Sequence, residues 1–220
     1  EPHRRLDEAA RDYLAEVRQV QPHGPYLLGG FSGGGLTALE MAKQLRAAGE
    51  EVQLLTLLDT PLPERPWLSR ADKAAIKLLE FRRKGPAYFG EWMADRKRWK
   101  DEQARMAEEA AGEADSGFHN RAIEAAFRDA LPFVALEAYD APVALFRPPL
   151  DKHWKVTGGR WVSRAKEYVY EDNDWSRFMP KLSVHEVPGD HDSMVLEPNV
   201  RVMAAKLKSL IAEAEKGAEA

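Results

Sequence analysis

The chain contains no cysteine. Disulfide staples, thiolate zinc sites and a cysteine nucleophile are therefore excluded, and the lack fits a reducing compartment, the cytoplasm. There is no basic surplus either. The 32 Lys and Arg stand against 36 Asp and Glu, a net charge of −4, whereas a dedicated nucleic-acid binder carries a basic excess. No apolar run approaches the roughly 18 residues of a membrane span, and the opening EPHRRLDEAARDYL lacks the apolar stretch of a signal peptide. Neither nucleic acid nor a membrane is an expected partner. An initiating Met is also absent: the chain starts at Glu1, directly in a helical pattern, and reads as a piece of something longer. A chain of 220 residues buries roughly 70% of its unfolded surface, enough for one sizeable core. The expectation is one domain, 1–220, with an insertion.

What is present is an alternation of helix and strand. Leu6, Ala9, Ala10, Tyr13, Leu14, Val17 and Val20 fall at helical spacing within 5–20. Pro22, Gly24 and Pro25 break that helix. Residues 26–31 are a short apolar run of strand length. Leu36, Leu39, Ala42 and Leu45 predict a second helix, closed by Gly49, and 51–58 a second strand, stopped at Asp59 before Pro61 and Pro63. Helix, strand, helix, strand is the grammar of a parallel α/β sheet. From about Leu68 to Tyr139 no strand pattern occurs. Charged helices are expected over 71–84, 86–100, 101–113 and 121–138, punctuated by Phe81, Tyr88, Phe89, Trp92, Trp99, Phe118, Phe127 and Phe133, with a connection at 114–117. This block, 66–138, is too long for a crossover and reads as an insertion. Strands resume at 142–146 and 183–187, separated by an irregular stretch over 147–178. A helix over 199–214 and a polar tail from about Glu215 close the chain.

Gly30-Phe31-Ser32-Gly33-Gly34 is a G-x-S-x-G between an apolar strand and an amphipathic helix, the context that a nucleophile elbow requires. Without that context it would be a glycine-rich turn or an anion loop, but the Lys-Ser/Thr of a P-loop and the glycine spacing of a dinucleotide site are missing. Side chains at Gly30 and Gly34 are expected to clash in so tight a turn. The N–H of Gly33, at the helix start, is the candidate oxyanion donor. Ser32 needs a base to act as a nucleophile. His3, His23 and His119 lie in polar or terminal stretches, His153 in the irregular segment and His185 within a strand. His191 follows the last strand, so it arrives at the same sheet edge as Ser32. Two acids satisfy the order Ser…Asp…His: Asp59, directly at the end of a strong strand, and Asp151, five residues and two prolines beyond Phe146. Periodicity leaves both open. Asp190 and Asp192 flank His191 too closely to face its ring. The histidines are not at metal-ligand spacings.

The stretch GPYLLGGFSGGGLTALEMAKQLRAAGEEVQLLTLLDTPLP resembles the nucleophile region of type I thioesterase domains of nonribosomal peptide synthetases and polyketide synthases. VHEVPGDHDSMVLEPNVRVMAAKLKSLI resembles their histidine region, YDAPVALFRPP the intervening strand, and Asp172-Asn173-Asp174-Trp175 a tryptophan-bearing segment before the last strand. The likeness covers about half the chain. It implies an α/β-hydrolase fold with a mostly parallel central sheet flanked by helices, and a helical lid at 66–138. It places the acid after the strand that follows the nucleophile helix, so the implied catalytic triad is Ser32, Asp59 and His191. Type II editing thioesterases, which are also similar, carry the acid nearer Asp151.

The resemblance further implies an acyl, peptidyl or polyketide thioester as substrate. It would be borne on the 4'-phosphopantetheine of a carrier protein domain, no cofactor being bound directly, and released by hydrolysis or macrocyclisation through an acyl-serine. An esterase of the same fold is the other enzyme reading, and an impaired fragment or carrier-binding module the non-enzyme one. Arg82-Arg83-Lys84, Arg96-Lys97-Arg98 and Lys100 read as a solvated helix face, with carrier docking as the functional alternative. The family normally draws its second oxyanion N–H from a loop after an earlier strand. Only 25 residues precede Tyr26, so the sheet is expected to lack its first strands, or to receive them from residues outside this sequence.

Overall fold

The computed structural model describes residues 3–91, 93–94, 96–98, 101 and 121–218. In chain order the elements are helix α1 (Leu6–Val20), strand β1 (Tyr26–Phe31), α2 (Gly34–Ala47), β2 (Val52–Leu58), α3 (Arg70–Lys84) and α4 (Arg121–Ala130). They are followed by β3 (Val143–Arg147), the two-residue strands β4 (Trp154–Lys155), β5 (Trp161–Val162) and β6 (Tyr168–Val169), β7 (Leu182–Glu186) and α5 (Val200–Ala218). Residues 87–91 are also helical. Trp92, Trp99, Lys100, the helix expected past Asp101, the connection at 114–117, Phe118 and His119 lie outside the described residues. No described helix is long and apolar enough to cross a membrane. The chain divides into two compact units. The first holds Glu1–Arg65, Ala125–Leu150 and Tyr170–Ala220, the second Pro66–Glu124 and Asp151–Val169.

The first unit is built on a four-stranded sheet of order β1-β2-β3-β7, every neighbouring pair parallel. Its central strands β2 and β3 are near-continuous apolar runs rather than polar alternations because both their faces are covered. Leu55, Leu57, Val143 and Leu145 point to one face, where Leu36, Leu39 and Leu45 of α2 and Leu6 and Leu14 of α1 meet them. Leu54, Ala144 and Phe146, one residue out of phase, point to the other face and pack with Met203 of α5. That switch of face at every residue is the period-2 geometry of a strand. The register then lines up the carboxyl ends. Phe31 stands beside Leu58, Leu58 beside Phe146 and Phe146 beside His185. Ser32 and Asp59 are each the next residue along.

The four long strands lie within a residue of their expected bounds, as boundary fraying allows. Three expectations need correction. The helix expected over 121–138 stops at Ala130 and gives way to a single 3-10 turn at Leu131–Phe133, because Pro132 has no N–H to continue the helical ladder. The helix α5 runs to Ala218, through the stretch read as a polar tail, because Glu, Lys and Ala are good helix formers whatever their polarity. The stretch read as irregular holds β4, β5 and β6, a three-stranded antiparallel sheet of the second unit. Two residues are too few to display a period.

In that second unit Leu68 and Ile76 pack against Val156 and Val162, and a single carboxylate ties the helix to the loops. Asp72 is fully buried. It accepts from Ser69 Oγ at 2.7 Å, Arg160 Nη2 at 2.7 Å, Tyr168 Oη at 2.5 Å, Thr157 N at 3.2 Å and the Thr157 hydroxyl. Ser69 also caps α3, accepting from Asp72 N at 3.0 Å. The basic run at the end of α3 is partly neutralised within the unit: Arg83 and Lys84 both pair with Glu80, and Lys84 with Glu91.

Two outcomes are expected. Leu145→Ala, at a fully buried position of a central strand, should lower unfolding free energy by about 2–5 kcal/mol in urea denaturation. The hydroxyls of Thr157, Tyr168 and Ser69, aided by the Arg160 charge, hold the Asp72 carboxyl far below its ordinary 3.8. A carboxyl depressed in the folded state stabilises fully above its unfolded pKa, and that contribution is lost as pH falls towards the folded one. Asp72→Asn should therefore melt below wild type at pH 7. The gap should shrink as pH drops below about 4 in thermal unfolding followed by circular dichroism.

Candidate active site

Three chain segments leave the carboxyl edge of the sheet and each delivers one side chain. Ser32 follows β1, and its N–H donates to Leu58 O of the neighbouring strand at 2.8 Å. Asp59 follows β2, and its N–H donates to Phe146 O at 2.7 Å. Both sit at positive φ, 52° and 44°, a left-handed conformation that costs a non-glycine residue about 1–3 kcal/mol and persists only where its surroundings impose it. Here the strand-to-strand bonds impose it. His191 follows β7 in a turn closed by Asp190 and Ser193: Asp190 N donates to Ser193 Oγ at 2.9 Å, and Ser193 N to Asp190 Oδ1 at 2.9 Å. The Ser193 hydroxyl, donating to Asp190 Oδ1 at 2.6 Å, and the Ser193 N–H hold the Asp190 carboxyl below its ordinary range.

The three side chains meet. His191 Nε2 lies 3.1 Å from Ser32 Oγ, and Nδ1 lies 2.8 Å from Asp59 Oδ2. A carboxylate can only accept, so Nδ1 carries the proton and Nε2 offers its lone pair to the serine hydroxyl. The His191 side chain is 43% exposed and that of Asp59 17%, so the ring is open to a substrate while the acid behind it is largely shielded. Phe31 stacks on the imidazole, centroids 4.9 Å apart and planes 28° from parallel. The Gly33 N–H opens α2, beside Ser32.

The glycines only partly follow expectation. A Cβ at Gly30 would stand 2.2 Å from Gly34 O, so glycine is required there. At Gly34 it would meet nothing within 4 Å, contrary to the expected clash. The close approach falls one residue later, at Gly35, where a Cβ would lie 1.9 Å from Thr60 Oγ1. Successive helical residues point about 100° apart, which turns Gly34 outward and Gly35 against the chain leaving β2.

Asp151 is engaged elsewhere. In the second unit its carboxylate accepts from Arg164 N at 2.8 Å. Among the described histidines, His3 bonds Asp12, His23 bonds Glu50, His185 bonds Ser183 and His153 accepts from Arg164. Sequence reasoning missed Asn173. Its Nδ2 donates to Asp59 Oδ1 at 3.0 Å, so both oxygens of Asp59 are held. The neighbouring Trp175 is fully buried and donates from its indole to Thr60 O at 2.8 Å, fixing the segment that carries Asn173. The motif around this tryptophan was visible in the sequence, but nothing in the spacing linked its asparagine to Asp59. Among the described residues no group of three or more His, Asp or Glu side chains is placed to hold a metal ion.

The family described as "Thioesterase domain" matches residues 1–203. The non-reducing polyketide synthase stmB of Aspergillus ustus is 27% identical over 229 residues, covering 94% of this chain and 11% of that protein. Malpinin synthetase of Mortierella alpina is 53% identical over 60 residues, 27% of this chain and 1% of the synthetase. The chain thus spans a small fraction of the length of either relative. Among solved structures, the NocB thioesterase domain in covalent complex with a fluorophosphonate nocardicin G analogue superposes with a TM-score of 0.57 at 26% identity, over 94% of this chain and 75% of that one. The four-domain nonribosomal peptide synthetase AB3403, bound to AMP and glycine, gives a TM-score of 0.59 at 24% identity, over 95% of this chain and 16% of that one, a likeness of fold alone. With nearly its whole length matched, and a parallel sheet covered by helices on both faces, the chain belongs to the thioesterase domain family of α/β-hydrolase fold, related to the thioesterase domains of nonribosomal peptide synthetases and polyketide synthases.

Proposed function

We propose that this chain is a serine thioesterase that releases an acyl, peptidyl or polyketide chain from the phosphopantetheine arm of a carrier protein domain. The observation that carries the reading is the unbroken hydrogen-bonded series from Ser32 Oγ through both nitrogens of His191 to Asp59. Ser32 Oγ attacks the thioester carbonyl carbon as its proton passes to His191 Nε2. The oxygen that becomes negative lies against the Gly33 N–H. The C–S bond breaks, and His191 returns the proton to the departing thiolate. Water, or a nucleophile within the acyl chain, then gives a proton to His191 as it attacks the ester carbon; the bond from that carbon to Ser32 Oγ breaks, and His191 returns the proton to the serine oxygen. Asp59 holds the Nδ1–H tautomer and stabilises the imidazolium formed in each half. Asn173 holds Asp59. The covalent fluorophosphonate complex of the NocB thioesterase domain supports a test of the same kind here.

A fluorophosphonate should label Ser32 of the folded chain, as read by peptide mass spectrometry, and a pantetheine-linked hexanoyl thioester should release thiol. Ser32→Ala should abolish labelling and reduce kcat by about 10⁵–10⁶. An unlabelled Ser32 would refute the reading, and an oxygen ester cleaved as fast as the thioester would redirect it to an esterase.

The acid is tested separately. Asp59→Ala should lose about 10⁴ in kcat, Asp151→Ala should stay near wild type, and Asn173→Ala should fall between them. Near-normal turnover in Asp59→Ala would remove that residue from the mechanism.

A further inference from the structure

Gly33 has ordinary helical backbone angles, φ −58° and ψ −29°, which any residue adopts. The backbone is therefore not why glycine stands there. A Cβ built on it would lie 2.5 Å from Cζ of Phe127, 2.7 Å from Cε1 and 3.4 Å from Cε2. The tip of the phenyl ring thus rests against the bare Cα of the residue that follows Ser32. Phe127 comes from α4, which turns Ala126 and Ala130 inward, 8% and 1% exposed. Those two small side chains, one turn apart on the helix, let its backbone approach closely. The Phe127 ring packs on one side against the core of the first unit and is otherwise only half-buried.

The position matters because the Gly33 N–H is the oxyanion donor in the acyl-serine reading above, on which this inference rests. The amide nitrogen is one bond, about 1.46 Å, from the Cα that the ring touches. An acyl group bonded to Ser32 Oγ with its oxygen against that N–H brings its α-carbon into the space beside the ring. Phenyl carbon offers no hydrogen bond, so it discriminates by shape alone. We propose that Phe127 is a specificity-determining residue of this site: its ring, seated on Gly33, walls the space beside the oxyanion and admits acyl chains unbranched next to the carbonyl while excluding those with a fully substituted α-carbon. Gly33 is the other half of the device, since any side chain there would push the ring across the site.

The test compares kcat/KM for hexanoyl and 2,2-dimethylhexanoyl pantetheine thioesters. Phe127→Ala should raise the branched-to-straight ratio about tenfold, the scale on which an apolar pocket discriminates by one or two carbons, and Phe127→Leu should raise it less. Gly33→Ala should lower kcat/KM for both substrates, and should cost far less when Phe127 is already alanine, the non-additivity expected of side chains in contact. Fluorophosphonate labelling and a thermal melt verify that each variant is folded. Should Phe127→Ala fail to fold, the Leu variant decides. An unchanged ratio in folded, labelled variants, or a Gly33→Ala cost independent of residue 127, overturns the proposal. Absence of labelling in wild type instead overturns the thioesterase reading beneath it.

Discussion

The parallel pairing of β2 with β1 on one side and β3 on the other is the constraint on which the rest depends. Parallel strands end together, so whatever follows β1, β2 and β7 emerges at one edge. The pairing also does something finer. The bonds from Ser32 N to Leu58 O and from Asp59 N to Phe146 O continue the ladder one step past the strands. They hold two non-glycine residues in left-handed conformations that would relax if either strand slipped. A register shift of one residue would exchange the two faces of the sheet and separate the serine from the histidine.

Around that edge the site is braced in layers. His191 is bonded at both nitrogens and stacked on Phe31. Asp59 is bonded at both oxygens, by His191 and Asn173. Asn173 is positioned by a turn whose Trp175 is buried and bonded to the carbonyl of Thr60, the residue after Asp59. Both oxygens of the largely shielded Asp59 carboxylate thereby find a partner, which its loss of water requires. The glycines serve the opposite purpose. Gly30, Gly33 and Gly35 are places where the elbow, the α4 phenylalanine and the chain leaving β2 come too close for a Cβ.

The second unit follows another logic. Its short strands contribute little apolar area, and a buried carboxylate organises it instead. Asp72 draws Ser69, Thr157, Arg160 and Tyr168 onto one side chain. A carboxylate so supplied with donors stays ionised when buried. Together with the small apolar cluster of Leu68, Ile76, Val156 and Val162, it ties α3 to the short strands.

The alternation of helices and strands, the elbow at Ser32 and the arrival of His191 at the end of the last strand were legible in the amino-acid sequence. Those are local or periodic properties: apolar spacing, glycine and proline punctuation, and the rule that parallel strands end on one side. Periodicity left Asp59 and Asp151 both open, since each follows a strand, and the family likeness pointed to Asp59. The fold puts Asp59 against His191 and binds Asp151 to Arg164, contacts that no local pattern specifies. Asn173, the clash at Gly35 rather than Gly34, and the seat of Phe127 on Gly33 were hidden for the same reason. Each is a contact between residues separated by at least two dozen positions in the chain, fixed by register and helix rotation, neither of which leaves a period in the sequence.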